Sequence, residues 1–191
     1  MSIEKKYFFY LTIMNYSSIY KIYLINYKEQ QMTKLYFAYG SNLNFEQMSM
    51  RCPNAVSLGP LYIPSWKLVF RGVADIEQSD NNDDLLPVGV WRITEQCEQS
   101  LDIYEGVNPN SNNDGLYKKI EVCGMMTYKM NSDGYSPPSS YYFNGILDGY
   151  QNFGLNSSHL YDALGWSYYS KLSKAERLGY DRYSDYVKEI V

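Results

Sequence analysis

The stretch Leu35–Leu43, LYFAYGSNL, passes within a few residues from an apolar run to an open, glycine-bearing loop, and the rest of the chain has to be arranged around that change. Lys34, Leu35, Tyr36, Phe37 and Ala38 favour a strand, whereas Gly40, Ser41 and Asn42 are residue types that let a backbone turn sharply. A helix start follows at once. Asn44 is a good N-cap, Gln47 stands where a capping box places its second member, and Pro53 stops the pattern beyond Arg51. A strand, a tight loop and a helix in this order point several N–H groups at one place, which suits a carboxylate or a developing oxyanion. Taken alone, the motif reads first as an ordinary strand-to-helix connection, because short glycine motifs recur by chance.

A chain of 191 residues can bury the core of one domain. Its hydrophobic share of 45% is that of a globular protein, and tyrosine is the unusual residue. Twenty-two tyrosines can line a wet pocket, or fill a core with their hydroxyls at its edge. A net charge of −4 gives no electrostatic footprint for nucleic acid and makes an acidic membrane surface an unsuitable partner. Cys52, Cys97 and Cys123 are odd in number and far apart, so neither a zinc ribbon nor a disulfide framework is indicated, and a reducing, cytoplasmic compartment is expected. His159 is the only histidine, which excludes a histidine-rich metal site and leaves a histidine-based triad hard to build.

Residues 1–31 are rich in Ile, Lys, Asn, Tyr and Phe and sustain neither a helical nor a strand period. Lys5 and Lys6 ahead of YFFYLTIM imitate a signal peptide, but Asn15, Ser17, Ser18 and Lys21 interrupt the apolar run. The reading is an N-terminal extension outside the domain, with Met32 as a natural start. The domain then runs over 32–168, followed by a helical tail over 169–191 with a capping box at Ser173 and Glu176. Ala55 to Phe70 predicts two short strands broken at Gly59, Pro60 and Pro64, with another strand over Gly72 to Ile76. A polar loop at 79–84 precedes a strand over Leu86 to Ile93.

Thr94 is the N-cap of a second helix, whose inward face carries Cys97, Leu101 and Tyr104 at helical spacing. Glu105 follows Leu101 by four residues and shares that side, and Gly106 ends the helix in a left-handed conformation. A carboxylate on the last turn has the wrong sign for the helix dipole, and burial would disfavour its charge further. Such a glutamate is either solvated or kept for chemistry.

Asn108 to Gly115 is a loop, and two strands are expected around YKKIEV and MMTYKM. The spacing of Asn110, Asn112, Asp114, Gly115 and Glu121 imitates a calcium loop. It is rejected because its first position is an amide, its ninth is Lys118, and a strand follows Gly115. Tyr142, Ile146 and Phe153 have helical spacing, with an interruption at Gly149 and an end at Gly154. Leu160 and Leu164 lie on a short helix beyond.

In combination these motifs resemble the γ-glutamylcyclotransferase family, including its AIG2-like relatives. The likeness rests on Tyr39-Gly40-Ser41-Asn42-Leu43 with Met48, Arg51, Cys52 and Pro53 behind it, and on LDIYEGV at Leu101–Val107 after the strand GVWRIT. It extends to GLYKKIEV at Gly115–Val122 and to the segment Pro137–Leu164, where Tyr150 stands in place of the more usual alanine. It covers about residues 34–165.

The resemblance implies an α+β domain built on a compact, mixed, β-barrel-like sheet flanked by short helices, and a reaction needing neither metal nor organic cofactor. In that reaction the α-amine of a γ-glutamyl amide attacks its own γ-carbonyl, releasing 5-oxoproline and a free amine. Glu105 is the implied general base. Tyr39, Gly40, Ser41, Asn42 and Leu43 are the implied substrate loop, whose N–H groups hold either a substrate carboxylate or the oxyanion, and Tyr117 and Tyr142 are the implied pocket tyrosines. Three other readings stay open at this level: a related acyl-transfer enzyme on the same fold, a small-ligand-binding domain without turnover, and a protein that works through partners on tyrosine-rich surfaces.

Overall fold

In the computed structural model, which describes residues 33–111, 114–177, 179 and 186, the apolar run ahead of the loop is the middle strand of a sheet. In chain order the elements are β1 (Thr33–Ala38), a 3-10 turn (Ser41–Leu43), α1 (Phe45–Arg51), β2 (Val56–Pro64), β3 (Trp66–Phe70), β4 (Ala74–Gln78) and β5 (Leu85–Thr94). They continue with α2 (Glu95–Tyr104), β6 (Tyr117–Val122), β7 (Met125–Met130), α3 (Ser140–Phe153), α4 (Ser158–Tyr169) and α5 (Lys174–Arg177). One sheet has the order β2-β5-β1-β7-β6, and β3 and β4 form a separate two-stranded ribbon. The pairing is mixed: β1 runs parallel to β7, while β2 with β5 and β6 with β7 are antiparallel. The architecture is therefore α+β, as expected, but no closed barrel forms among the described residues.

Central placement explains the composition of β1. Tyr36, Phe37 and Ala38 are all buried, so both faces of the strand are covered and the sequence reads as a continuous apolar run rather than an alternating one. β1 therefore delivers its loop to the middle of the sheet. Helix α2 follows β5 on one flank, and the β6–β7 hairpin lies on the other.

Local chemistry sets most of the ends. Asn44 Oδ1 accepts from Gln47 N at 3.0 Å, and Thr94 Oγ1 accepts from Cys97 N at 3.2 Å. Ser173 and Glu176 make the reciprocal pair of a capping box. The box expected at Gln47 is half made: its side chain instead accepts from Arg51, and the Asn44 N–H closes onto Ser41 O.

Two expected breaks are absent. β2 runs through Gly59 and Pro60, with a register shift between Ser57 and Gly59, because it is an edge strand on which a bulge and a missing N–H are tolerated. The chain breaks instead at Ser65, with φ 59°. Likewise α3 is continuous through Gly149, and the expected strand at Gly72 begins only at Ala74. The extension over residues 1–31 and most of the tail beyond Arg177 lie outside the described residues. No helix among the described residues is long and apolar enough to cross a membrane.

Cys52 and Cys97 are core residues. Burial, with Cys97 beside it, pushes the Cys52 thiol up to about 12, so it remains an inert thiol. Tyr150 is 1% exposed, and its hydroxyl has no hydrogen-bond partner among the described residues. A desolvated, unsatisfied hydroxyl costs about 1–3 kcal/mol. Tyr150→Phe should therefore raise the unfolding free energy by roughly 1 kcal/mol in urea titrations; a loss of stability would mean that the hydroxyl has a bonding role.

Candidate active site

The strand-to-helix loop closes as a single 3-10 turn, with Leu43 N donating to Gly40 O at 2.9 Å and Asn44 N to Ser41 O at 3.1 Å. The N–H groups of Ser41 and Asn42 open the turn and so have no acceptor within it. Ser41, Asn42 and Leu43 are buried. Trp91 of β5 donates from Nε1 to Asn42 O at 3.2 Å, and the rings of Phe45, Trp91 and Phe153 meet edge to face at 5.0–5.4 Å beneath the turn. Helix α3 presses on it from the other side at Gly149, where an added Cβ would lie 2.5 Å from Leu43 Cβ and 2.7 Å from Asn44 N.

This turn forms one wall of a cavity of about 130 Å³. Tyr39, Gly40, Ser41 and Asn42 line it together with Glu105, Tyr117 and Tyr142, so seven of the eight residues expected at the site meet at one place. Leu43 does not line it. Its side chain is fully buried under α3, because the 3-10 turn rotates it away from the cavity and into the core.

Glu105 is the residue that caps the C-terminus of α2, and its N–H still bonds to Leu101 O at 2.8 Å. Gly106 follows with φ 65°, a conformation that lets the chain leave the helix at this point. Gly106 O then accepts from Leu116 N at 3.1 Å, and Gly115 packs so closely on this corner that a Cβ there would stand 2.4 Å from Gly106 O. That contact places Tyr117 on the same cavity as Glu105.

The Glu105 carboxylate keeps some access to solvent through the cavity mouth, but aromatic rings surround it. Burial raises its pKa to about 7, against the opposing effects of the Asn42 amide and the Arg51 charge. Asn42 Nδ2 donates to Oε1 at 2.8 Å and to Tyr36 Oη at 2.9 Å. No hydrogen bond from the described residues reaches Oε2.

The tyrosine richness of the chain has a use here. Tyr39 Oη donates to Tyr128 O at 2.6 Å, Tyr117 Oη to Ala74 O at 2.7 Å and Tyr128 Oη to Asp102 Oδ1 at 2.7 Å, so these three hydroxyls are committed. Tyr36 and Tyr142 accept instead, Tyr142 from Ala74 N at 3.2 Å, and each keeps its own proton to donate. Burial pushes the pKa of Tyr36, Tyr39, Tyr117, Tyr128 and Tyr142 upward, so all five stay neutral.

Sequence reasoning did not find Tyr36, Val73, Ala74, Leu116 or Tyr128, which complete the wall. Tyr36 sits three residues before Tyr39 in the opening motif, and that proximity was its one available signal. Ala74 and Tyr128 reach the cavity through strand pairing, and Val73 and Leu116 as the residues just ahead of β4 and β6. Tyr104 was expected on the inward face of α2 but is 48% exposed at the cavity mouth, where the Arg51 guanidinium stacks 3.7 Å above its ring. Tyr104 keeps the helical spacing of the Cys97–Leu101 stripe, but it stands on the last turn of α2, which borders the cavity mouth instead of the core.

No family model matches the chain. It is 33% identical over 144 residues to the γ-glutamylcyclotransferase of Mus musculus, which covers 64% of this chain and 73% of the mouse protein. It is 32% identical over 142 residues to that of Bos taurus, covering 63% and 72%. A solved structure named gamma-glutamyl cyclotransferase superimposes with a TM-score of 0.59 at 26% identity, over 82% of this chain and 99% of the other. The glycine loop at the end of the central strand, the glutamate at the end of α2 and these likenesses agree on one assignment: the chain belongs to the γ-glutamylcyclotransferase family.

Proposed function

We propose that the cavity cyclises a γ-glutamyl amide, with Glu105 as the proton acceptor and donor. The α-ammonium of the substrate gives a proton to Glu105. The freed amine nitrogen forms a bond to the γ-carbonyl carbon, the bond from that carbon to the leaving nitrogen breaks as Glu105 returns the proton to it, and the second proton shed by the attacking nitrogen passes to the departing amine, which leaves as its ammonium. The products are 5-oxoproline and a free amine. Nucleophile and electrophile belong to one molecule, so the substrate supplies most of the proximity itself, and the protein needs only to fold it correctly and to move charge.

The observation that supports this most is the shared cavity: one oxygen of Glu105 is held 2.8 Å from Asn42 Nδ2 of the glycine loop. An α-ammonium titrates near 8, so transfer of its proton to an ordinary glutamate costs roughly 5 kcal/mol. With the Glu105 pKa at about 7, the gap is about one unit, and the cost falls to roughly 1.4 kcal/mol. The N–H groups of Gly40, Ser41 and Asn42 are suited to an anionic oxygen of the substrate, and the free protons of Tyr36 and Tyr142 to further acceptors on it. Three unpaired cysteines fit the same reading in a reducing, cytoplasmic setting.

The test is 5-oxoproline release from a panel of γ-glutamyl dipeptides and γ-glutamylamines, followed against pH. The base must be ionised in the free enzyme, so kcat/KM should rise with pH through about 7, the value to which burial brings Glu105. A limb near 4.5, or no product from any member of the panel, would count against the proposal.

A further inference from the structure

The cation that organises this site lies outside the cavity lining. We propose that Arg51, through Asn42, is a positioning residue for the Glu105 carboxylate, a role that rests on the cyclisation reading above. Arg51 Nη1 donates to Asn42 Oδ1 at 2.6 Å and to Ser41 Oγ at 3.1 Å, while Nη2 donates to Gln47 Oε1 at 2.7 Å and Tyr104 Oη at 2.6 Å. A guanidinium only donates, so the end of the Asn42 amide that faces it must be the oxygen. The other end, Nδ2, is thereby turned to Glu105 Oε1 and Tyr36 Oη. With the amide reversed, two donors would face each other at Arg51 and two acceptors at Glu105. The planar fork of Arg51 thus sets which carboxylate oxygen is occupied and leaves Oε2 for the substrate ammonium.

The surroundings of Glu105 give Arg51 its leverage. Tyr36 on β1, Tyr39, Tyr117 on β6, Tyr128 on β7 and Tyr142 on α3 are neutral, and Tyr104 on its own helix has its hydroxyl engaged by Arg51. The nearby carboxylates are paired elsewhere, Asp102 with Lys119 at 2.8 Å and Asp75 with Arg71 at 2.7 Å and Lys129 at 3.4 Å. Arg51 is accordingly the cation that bears on Glu105, and it acts through a chain of two hydrogen bonds rather than by contact.

The experiment compares wild type, Arg51→Met and Arg51→Lys by two readouts. The first is the Glu105 carboxyl titration in substrate-free protein, followed by carbon-13 NMR and assigned by its absence in Glu105→Gln. The second is kcat with γ-glutamyl-alanine at pH 9, where the carboxylate is ionised in every variant. In Arg51→Met the midpoint should rise by about one pH unit as the opposite charge is lost, and kcat at pH 9 should fall about 100-fold as the carboxylate loses its alignment. Arg51→Lys keeps a charge and the aliphatic stem but not the fork, so it should show the smaller midpoint shift and still lose about 10-fold in kcat. It also serves if the methionine variant does not fold. A midpoint that stays in place in Arg51→Met, or a kcat at pH 9 within about twofold of wild type in either variant, would overturn the proposal. The NMR midpoint needs no turnover, so absence of 5-oxoproline in wild type would reject the cyclisation reading without deciding the link to Arg51.

Discussion

Glu105→Gln should abolish 5-oxoproline formation to within measurement, with kcat down by roughly three orders of magnitude or more. The substitution keeps size and shape, and an amide oxygen can still accept from Asn42 Nδ2, now 2.8 Å from Oε1. The base is lost, because an amide takes up no proton at any working pH. The limb near pH 7 in kcat/KM should vanish with it. Stability gives an independent check. The folded-state pKa is raised above the ordinary value of 4.5, so ionisation of Glu105 opposes folding, increasingly as pH rises from about 4.5 through about 7. Glu105→Gln removes that opposition and should be no less stable than wild type at pH 8. A variant that is inactive and also unstable would suggest a damaged fold instead of a missing base, and an active one would remove Glu105 from the mechanism.

The second large effect is expected far from any chemistry, at Gly149→Ala. The new methyl would sit 2.5 Å from Leu43 Cβ and 2.7 Å from both Asn44 N and Leu43 C. Two of those three atoms are backbone, and no rotamer change relieves them. Either α3 or the 3-10 turn must move, at a cost of roughly 3 kcal/mol. Because that turn carries Asn42 and the cavity N–H groups, the folded fraction should also lose about 100-fold in kcat, the usual consequence of a displacement of about 1 Å. Gly145→Ala, four residues earlier on α3, is the control. Its Cβ meets only Gln47 Nε2, at 3.0 Å, the far end of a flexible side chain, so stability should change little. Urea unfolding of the two variants decides this, and equal midpoints would show that the close approach at Gly149 does not hold the turn.

How much of this could be read in advance follows from the range of each signal. The strand, the turn and the caps at Asn44, Thr94 and Ser173 depend on neighbours within four residues, so residue type and spacing were sufficient. The inward side of Glu105 was legible for the same reason, since it follows Leu101 by four residues ahead of Gly106, whereas its part as a base came only from the family resemblance. Gly149 shows the limit. Its meaning lies in a contact with Leu43, more than a hundred residues away, and within its own helix it looks only like a weak point. Gly59 and Pro60 were misread as a break because their tolerance depends on β2 being at an edge, which is a property of the whole sheet. The link from Arg51 through Asn42 to Glu105 was also out of reach, although all three residues lie in motifs that were noticed. The directions of amide and guanidinium follow from packing alone.

The central claim is that the substrate's own amine, and not water, attacks the γ-carbonyl. It is tested most directly by running the reaction with γ-glutamyl-alanine in oxygen-18 water and analysing both products by mass spectrometry. Intramolecular attack predicts 5-oxoproline and alanine in equal amounts, with no heavy oxygen in the 5-oxoproline. Glutamate carrying oxygen-18 would contradict it and make the cavity a hydrolase.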